Sequence, residues 1–231
     1  ELSGRRVFSE LRQILEEETP PAAIARLNDF GLLKVVHPSL VLSKTLLTRL
    51  NAAKQVLSWY DLLFLDESYM KWAVYFLALI HPCEKEQALE ICRRFELTPR
   101  LRKLFVESRA KAQECLHALA RSLPSEPSRV YHRLAGFRTE LILFMMAAAD
   151  QEKVKKAISL YFTHLRRTAI SLKGEDLQQM GVRPGPIYRE VFQAVFDAKL
   201  NGRVKTREEE LEFARERLRG GPPETPPFGR P

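Results

Sequence analysis

The chain has 231 residues, enough for one large core or two smaller ones, and its 45% hydrophobic and 29% charged content is that of an ordinary soluble globular protein. No run of eighteen apolar residues occurs, the most apolar stretch being Trp72 to Ile80, and no basic segment followed by an apolar one opens the chain, so neither a membrane span nor a secretion signal is expected. The formal charge of +8 is uneven: from Leu97 to Lys173 fifteen Lys and Arg face six Asp and Glu, which favours a polyanionic partner, nucleic acid or acidic lipid.

In chain order, nearly every segment reads as helix. Ser3 can cap a first helix to about Glu18, with Val7, Leu11 and Ile14 or Leu15 on one face. Thr19-Pro20-Pro21 breaks it, and a short helix follows to Phe30, closed by Gly31. From about Ser43 to Trp59, Leu46, Leu50, Ala53 and Leu57 recur in helical register. Ser68 to Ile80 is apolar nearly all round and is expected in the core. Further helices are expected over Glu84 to Phe95, Pro99 to Arg121, a short piece after Pro127, Thr139 to Ala149, and Glu152 to Leu165. Two helices follow, joined at Gly-Val-Arg-Pro-Gly-Pro, residues 181–186, and a last one from Thr206 to Leu218 opens on a Thr206/Glu209 capping box. Gly220 to Pro231, rich in Pro and Gly, is expected to be disordered. No strand alternation or fixed repeat is visible. The expectation is an all-α, elongated array of roughly eleven or twelve helices without a sheet, divided into residues 1–60, a helical body over 61–165, and a terminal portion over 166–219 followed by the tail.

Cys83, Cys92 and Cys115 form no CxxC pair, a reduced, cytoplasmic pattern that speaks against redox chemistry or zinc. No histidine precedes an aspartate, and HExxH, GxSxG, GxGxxG and GxxxxGK[ST] are absent. The pairs Asp66-Glu67 and Glu175-Asp176 read as first-turn carboxylates favoured by helix dipoles rather than metal ligands. The aromatic set Trp59, Tyr60, Phe64, Tyr69, Trp72, Tyr75 and Phe76 reads as core rather than a stacking platform. No catalytic residue is assigned.

The connection around residues 181–186 holds more special residues than a turn needs. Gly181 can end one helix in a left-handed conformation, Gly185 leaves room at the next start, and Pro186 suits a first helical position. Either this is a well-made turn, or the helix start offers N–H groups to a phosphate, with Arg183 adding charge. The elements Gly174-x-Asp176-Leu177-x-x-x-Gly181-x-x-Pro184-Gly185-Pro186, the helix ending at Gly202, and Thr206-Arg207-Glu208-Glu209-Glu210-Leu211 together resemble the C-terminal region of class II tRNA nucleotidyltransferases, the bacterial CCA-adding enzymes and their A-adding and poly(A) polymerase relatives. Ser3-Gly4-Arg5-Arg6-Val7 to Glu10-Leu11 similarly resembles that family's neck helix, although the usual Ser-x-Glu-Arg-Ile is replaced here. The Arg5-Arg6-Val7 form resembles the long A-adding branch, whose heads follow DHH and CBS domains.

The resemblance implies a fragment comprising neck, body and tail, which clamps tRNA or another structured RNA through its backbone. The catalytic head of the same polypeptide, with its Mg²⁺ and its ATP or CTP, would precede Glu1; no cofactor is expected in this chain. It points to Arg166, Arg167, Lys173, Gly174, Arg183, Gly185 and Arg189 for RNA contact and to Arg5, Arg6 and Glu10 in the neck. The alternative is a helical nucleic-acid-binding or protein-interaction domain of an unrelated enzyme. Whether the parent adds CCA, only C or only A is not written in these residues.

Overall fold

A computed structural model describes residues 3–38 and 40–219; the tail expected to be disordered lies outside the described residues. Among those described, fourteen α-helical segments occur and no strand. The expectation of an all-α chain holds. The count exceeds eleven or twelve for two reasons. A single turn forms at α3 (Leu33–Val36), and the expected helix from Pro99 is interrupted within its length.

The chain divides into two compact units, residues 1–124 with 133–159, and residues 125–132 with 160–231. The first contains α1 (Gly4–Glu16), α2 (Pro20–Asp29), α3, α4 (Lys44–Asp61), α5 (Lys71–Leu79), α6 (Lys85–Arg94), α7 (Pro99–Arg102), α8 (Arg109–Ser122) and α10 (Thr139–Ala148). The chain passes between units within α9 (Pro127–Leu134) and within α11 (Glu152–Thr163).

In the first unit α4, α5 and α10 pack on one another. Every residue from Trp72 to Ile80 and from Thr139 to Ala149 is buried, as sequences apolar all round require. Phe8 of α1 sets its ring edge-on to Trp72 and Phe76. Gly4 begins α1 against the end of α6, where any Cβ would run into the Arg94 carbonyl. Ser3 caps the helix through Oγ, accepting from the Arg6 N–H at 3.4 Å.

Between α7 and α8 the helix widens into a π-helical stretch, Lys103–Ser108. The Arg109 N–H therefore reaches Leu104 O rather than the carbonyl four residues back, which leaves Phe105 O for the arginine's own side chain. Arg109 is 2% exposed; Nε donates to Phe105 O at 3.0 Å and Nη1 to Ile80 O at 3.0 Å, at the carbonyl end of α5. No hydrophobic pattern announces this buried cation.

Two readings are corrected here. Asp66-Glu67 opens no helix, because α5 starts only at Lys71; Glu67 instead accepts from Tyr60 Oη at 3.2 Å and Thr139 Oγ1 at 2.8 Å. Of the aromatic set, Tyr60, Trp72, Tyr75 and Phe76 are core, but Phe64 is 86% exposed at φ +48°, on the turn after α4. The three cysteines are free thiols, and burial pushes Cys92 up to about 12 and raises Cys83 and Cys115 as well.

Candidate functional site

The residues singled out around the glycine-rich connection all fall in the second unit. The apolar cluster beneath them comprises Leu172, Leu177, Val191, Val195 and Ala214, with Val182, Ile187, Tyr188 and Phe192 packed against it. Arg166 and Arg167 lie on a 3-10 turn, Leu165–Arg167, that follows α11. Lys173 and Gly174 begin α12 (Gly174–Gln179), Arg183 and Gly185 lie in the connection, and Arg189 is in the first turn of α13 (Pro186–Leu200).

The end of α12 follows from Gly181, whose φ of +84° belongs to the left-handed region. Val182 N–H donates to Leu177 O at 3.1 Å and Gly181 N–H to Gln178 O at 2.8 Å, the paired bonds of a Schellman ending, and Leu177 and Val182 share one apolar cluster. Tyr188 closes the hairpin by donating its hydroxyl to Val182 O at 3.0 Å. Pro186 occupies the first helical position, and no side chain caps the start of α13.

Gly185 differs from its expected role within the fold. Its φ of 173° is extended backbone open to any residue, and the nearest heavy atom to an added Cβ would be Arg183 O at 3.9 Å. The fold makes no demand for glycine there; it demands glycine at 181. Gly174 is packed more closely, a Cβ there meeting the Tyr188 ring at 3.7 Å, so the starts of α12 and α13 lie side by side. Ile170, Gly185 and Arg189 line one groove, which brings the segment carrying Arg167 and Lys173 next to the start of α13.

Of the cations in this region, Arg166 lies over the Phe162 ring, 5.9 Å from its centroid. Arg167, Lys173, Arg183 and Arg189 are exposed and form no ion pair or side-chain hydrogen bond among the described residues. The exposed carboxylates nearest in sequence are Glu175 and Glu190, also without such partners. In the first unit, Arg5 pairs with Glu96 at 2.8 Å, whereas Arg6 and Glu10 are exposed.

Four polar residues, Glu210, Lys199, Arg207 and Asp176, hold this unit in roles that the reading of the sequence did not assign them. Glu210, on α14 (Arg207–Arg219) and 0% exposed, accepts the N–H groups of Ser171 at 2.7 Å and Leu172 at 2.9 Å and pairs with Lys199. Arg207 donates to Ser171 O and to Asp176 Oδ1, both at 2.7 Å, and the other oxygen of Asp176 accepts the Lys173 N–H at 2.7 Å. These bonds fix the extended segment before α12. The signal lay in Glu208-Glu209-Glu210: Glu209 takes the capping position with Thr206, and Glu210, one residue on, faces the core.

Among known proteins, residues 1–42 match a family model described as the probable RNA and SrmB-binding site of polymerase A. Over 217 residues, 92% of this chain, the sequence is 36% identical to an A-adding tRNA nucleotidyltransferase of Geobacter sulfurreducens, and spans 25% of that protein. It is 23% identical over 225 residues to an A-adding tRNA nucleotidyltransferase of Halalkalibacterium halodurans, covering 93% of this chain and 47% of the relative. The solved Thermotoga maritima CCA-adding enzyme complexed with tRNA shares the fold with a TM-score of 0.70 at 24% identity, over 92% of this chain and 51% of that one. An apo CCA-adding enzyme gives 0.71 at 23% identity, over 91% and 49%. The chain thus spans a quarter to about half the length of these relatives, in their C-terminal part.

Proposed function

We propose that this chain, which belongs to the tRNA nucleotidyltransferase family as the counterpart of its C-terminal helical part, holds structured RNA, tRNA above all, for 3′-end nucleotide addition carried out elsewhere in the same polypeptide. The observation that carries this reading is the set of four exposed cations without partners among the described residues, Arg167, Lys173, Arg183 and Arg189, on the segment before α12, the connection and the uncapped first turn of α13. Cations paired within a protein have little left for a phosphate. These four can each displace a condensed counterion, and the uncapped helix start adds a positive dipole end. Such contacts recognise the shape and backbone of a folded RNA without reading its sequence. Arg166, held against Phe162, extends the same basic segment, and Arg6 adds an exposed cation in the first unit, where its neighbour Arg5 is paired with Glu96.

Nucleotide addition needs carboxylates holding two metal ions to align the attacking hydroxyl and stabilise the leaving pyrophosphate. Among the described residues no three His, Cys, Asp or Glu side chains gather as such a site requires, so no step of the transfer is assigned to this chain. Mg²⁺ and ATP or CTP belong, in this reading, to a catalytic head. No helix among the described residues is long and apolar enough to cross a membrane, and the place of work is proposed as the cytoplasm.

Titrating the chain with a tRNA transcript across a salt series tests the reading. Arg183→Ala is expected to weaken binding by about 1 kcal/mol and to lower the salt slope by about one counterion. An Arg183→Ala, Arg189→Ala double variant with unchanged affinity and slope refutes it. The alternative of protein interaction is favoured by one observation: Phe30, Leu32 and Val41 are exposed apolar side chains within residues 30–41. If that surface serves only protein, Phe30→Ser will leave tRNA affinity unchanged.

A further inference from the structure

Tyr188, Phe192 and Phe196 stand at i, i+4 and i+8 along α13, one above another on a single face, and each is only half-buried. Phe192 and Tyr188 have ring centroids 6.3 Å apart at 75°, and Phe196 is held edge-on by Tyr131 at 5.0 Å. These three rings, with Ile170, Arg189 and Gln193, line an open groove of about 530 Å³, within the size range of small-molecule sites. Among the described residues no carboxylate lines it, and its cation, Arg189, has no ion-pair or hydrogen-bond partner.

Gln193 is oriented. Its Nε2 donates to Asp197 Oδ1 at 3.1 Å and lies 3.2 Å from His132 Nε2, which itself holds Asp197 at 2.6 Å. The Gln193 Oε1 is left as an acceptor without a partner among the described residues. The groove therefore combines flat apolar walls, one positive charge and one fixed acceptor. An acidic or purely aliphatic ligand would use only part of that set.

We propose that this groove is a nucleobase site. An unpaired base from a loop of the bound RNA lies against Tyr188 and Phe192, its exocyclic amino group donates to Gln193 Oε1, and its phosphate pairs with Arg189. Stacking on aromatic side chains is how proteins take up bases that are free of the duplex. The inference rests on the RNA-holding reading above and assigns to it a preference for looped over fully paired RNA.

The test compares two probes on the whole chain, a tRNA transcript and a fully paired RNA duplex of equal phosphate number. Tyr188→Leu, which keeps apolar bulk but removes the ring, is expected to lose about tenfold in affinity for tRNA, with duplex affinity and salt slope unchanged. Tyr188→Phe keeps the ring and loses only the hydroxyl bond to Val182, and is expected to bind tRNA like the unaltered chain. In Tyr188→Trp, added tRNA should quench the new indole fluorescence and added duplex should not. Equal losses in Tyr188→Leu and Tyr188→Phe would make the residue a structural strap and overturn the site. So would unchanged tRNA affinity in Tyr188→Leu, or an unquenched indole in bound Tyr188→Trp. If the unaltered chain binds neither probe, the RNA-holding reading falls and the groove falls with it; if it binds both and only the ring variants behave like wild type, the groove alone falls.

Discussion

In the first unit, α5 and α10 are enclosed on every side by other apolar side chains, and the buried cation Arg109 is satisfied by carbonyl oxygens. In the second, the apolar cluster of Leu172, Leu177, Val191, Val195 and Ala214 is supplemented by Glu210, Asp176, Arg207 and Lys199, which tie separate segments together through charged hydrogen bonds. The difference teaches where stability is concentrated. Apolar burial is spread over many contacts and is indifferent to salt. A strap of ionised groups puts much of a unit's order on a few atoms, whose loss strands a buried partner. A unit with exposed unpaired cations can still be well ordered, because its buried charges are matched.

The largest expected effect is in the first unit. Phe76 is fully buried against Phe8, Phe95 and Phe105, and Phe76→Ala should cost about 4 kcal/mol, with little dependence on salt, in denaturant unfolding. Glu210→Ala should cost about 3 kcal/mol by leaving Lys199 and two N–H groups unmatched. Amide exchange would sharpen the contrast: protection should fall across α12 to α14 while α5 and α10 keep theirs. Equal loss of protection in both units would show that they unfold as one.

A pH series separates the units in another way. Burial, with Arg49 and Arg109 nearby, lowers His81 to about 4, while an unfolded histidine takes up its proton near 6.5. Between those values the unfolded chain binds more protons than the folded one. Stability is therefore full above pH 6.5 and falls as pH drops towards 4, by about 2 to 3 kcal/mol in all. His81→Gln should remove that slope, which thermal unfolding at pH 4.5 and 7 would detect. The smallest effect belongs to the hairpin: Gly181→Ala, forced to φ +84°, should cost about 1 kcal/mol, and Gly185→Ala close to nothing for folding.

Much of the fold was legible because helices carry their own punctuation. Ser3, Ser43 and Thr206 cap as their types suggest, and Gly31 and Gly181 take positive φ where helices end. The candidate site was legible to the level of segments: the resemblance pointed to Arg166, Arg167, Lys173, Arg183 and Arg189, and of these all but Arg166 are exposed. Glu210 and Arg207 were not legible, since a Glu-rich first turn looks solvated until the segment carrying Ser171 is laid against it. The groove was missed for a similar reason: Phe192 and Phe196 recur at helical spacing like any core-facing pair, and only packing decides that they are half covered.

By itself the sequence determined that the chain is helical, where most helices start and stop, and that it carries a basic surplus, because periodicity, capping and charge are local properties. Tertiary structure alone decided that Arg109 is buried beneath a π turn, that Phe64 points outwards, that glycine is required at 4 and 181 but not at 185, and that Glu210 anchors the segment before α12. Each of these depends on which residues, distant along the chain, come within a few ångströms of one another, and no local pattern encodes that distance.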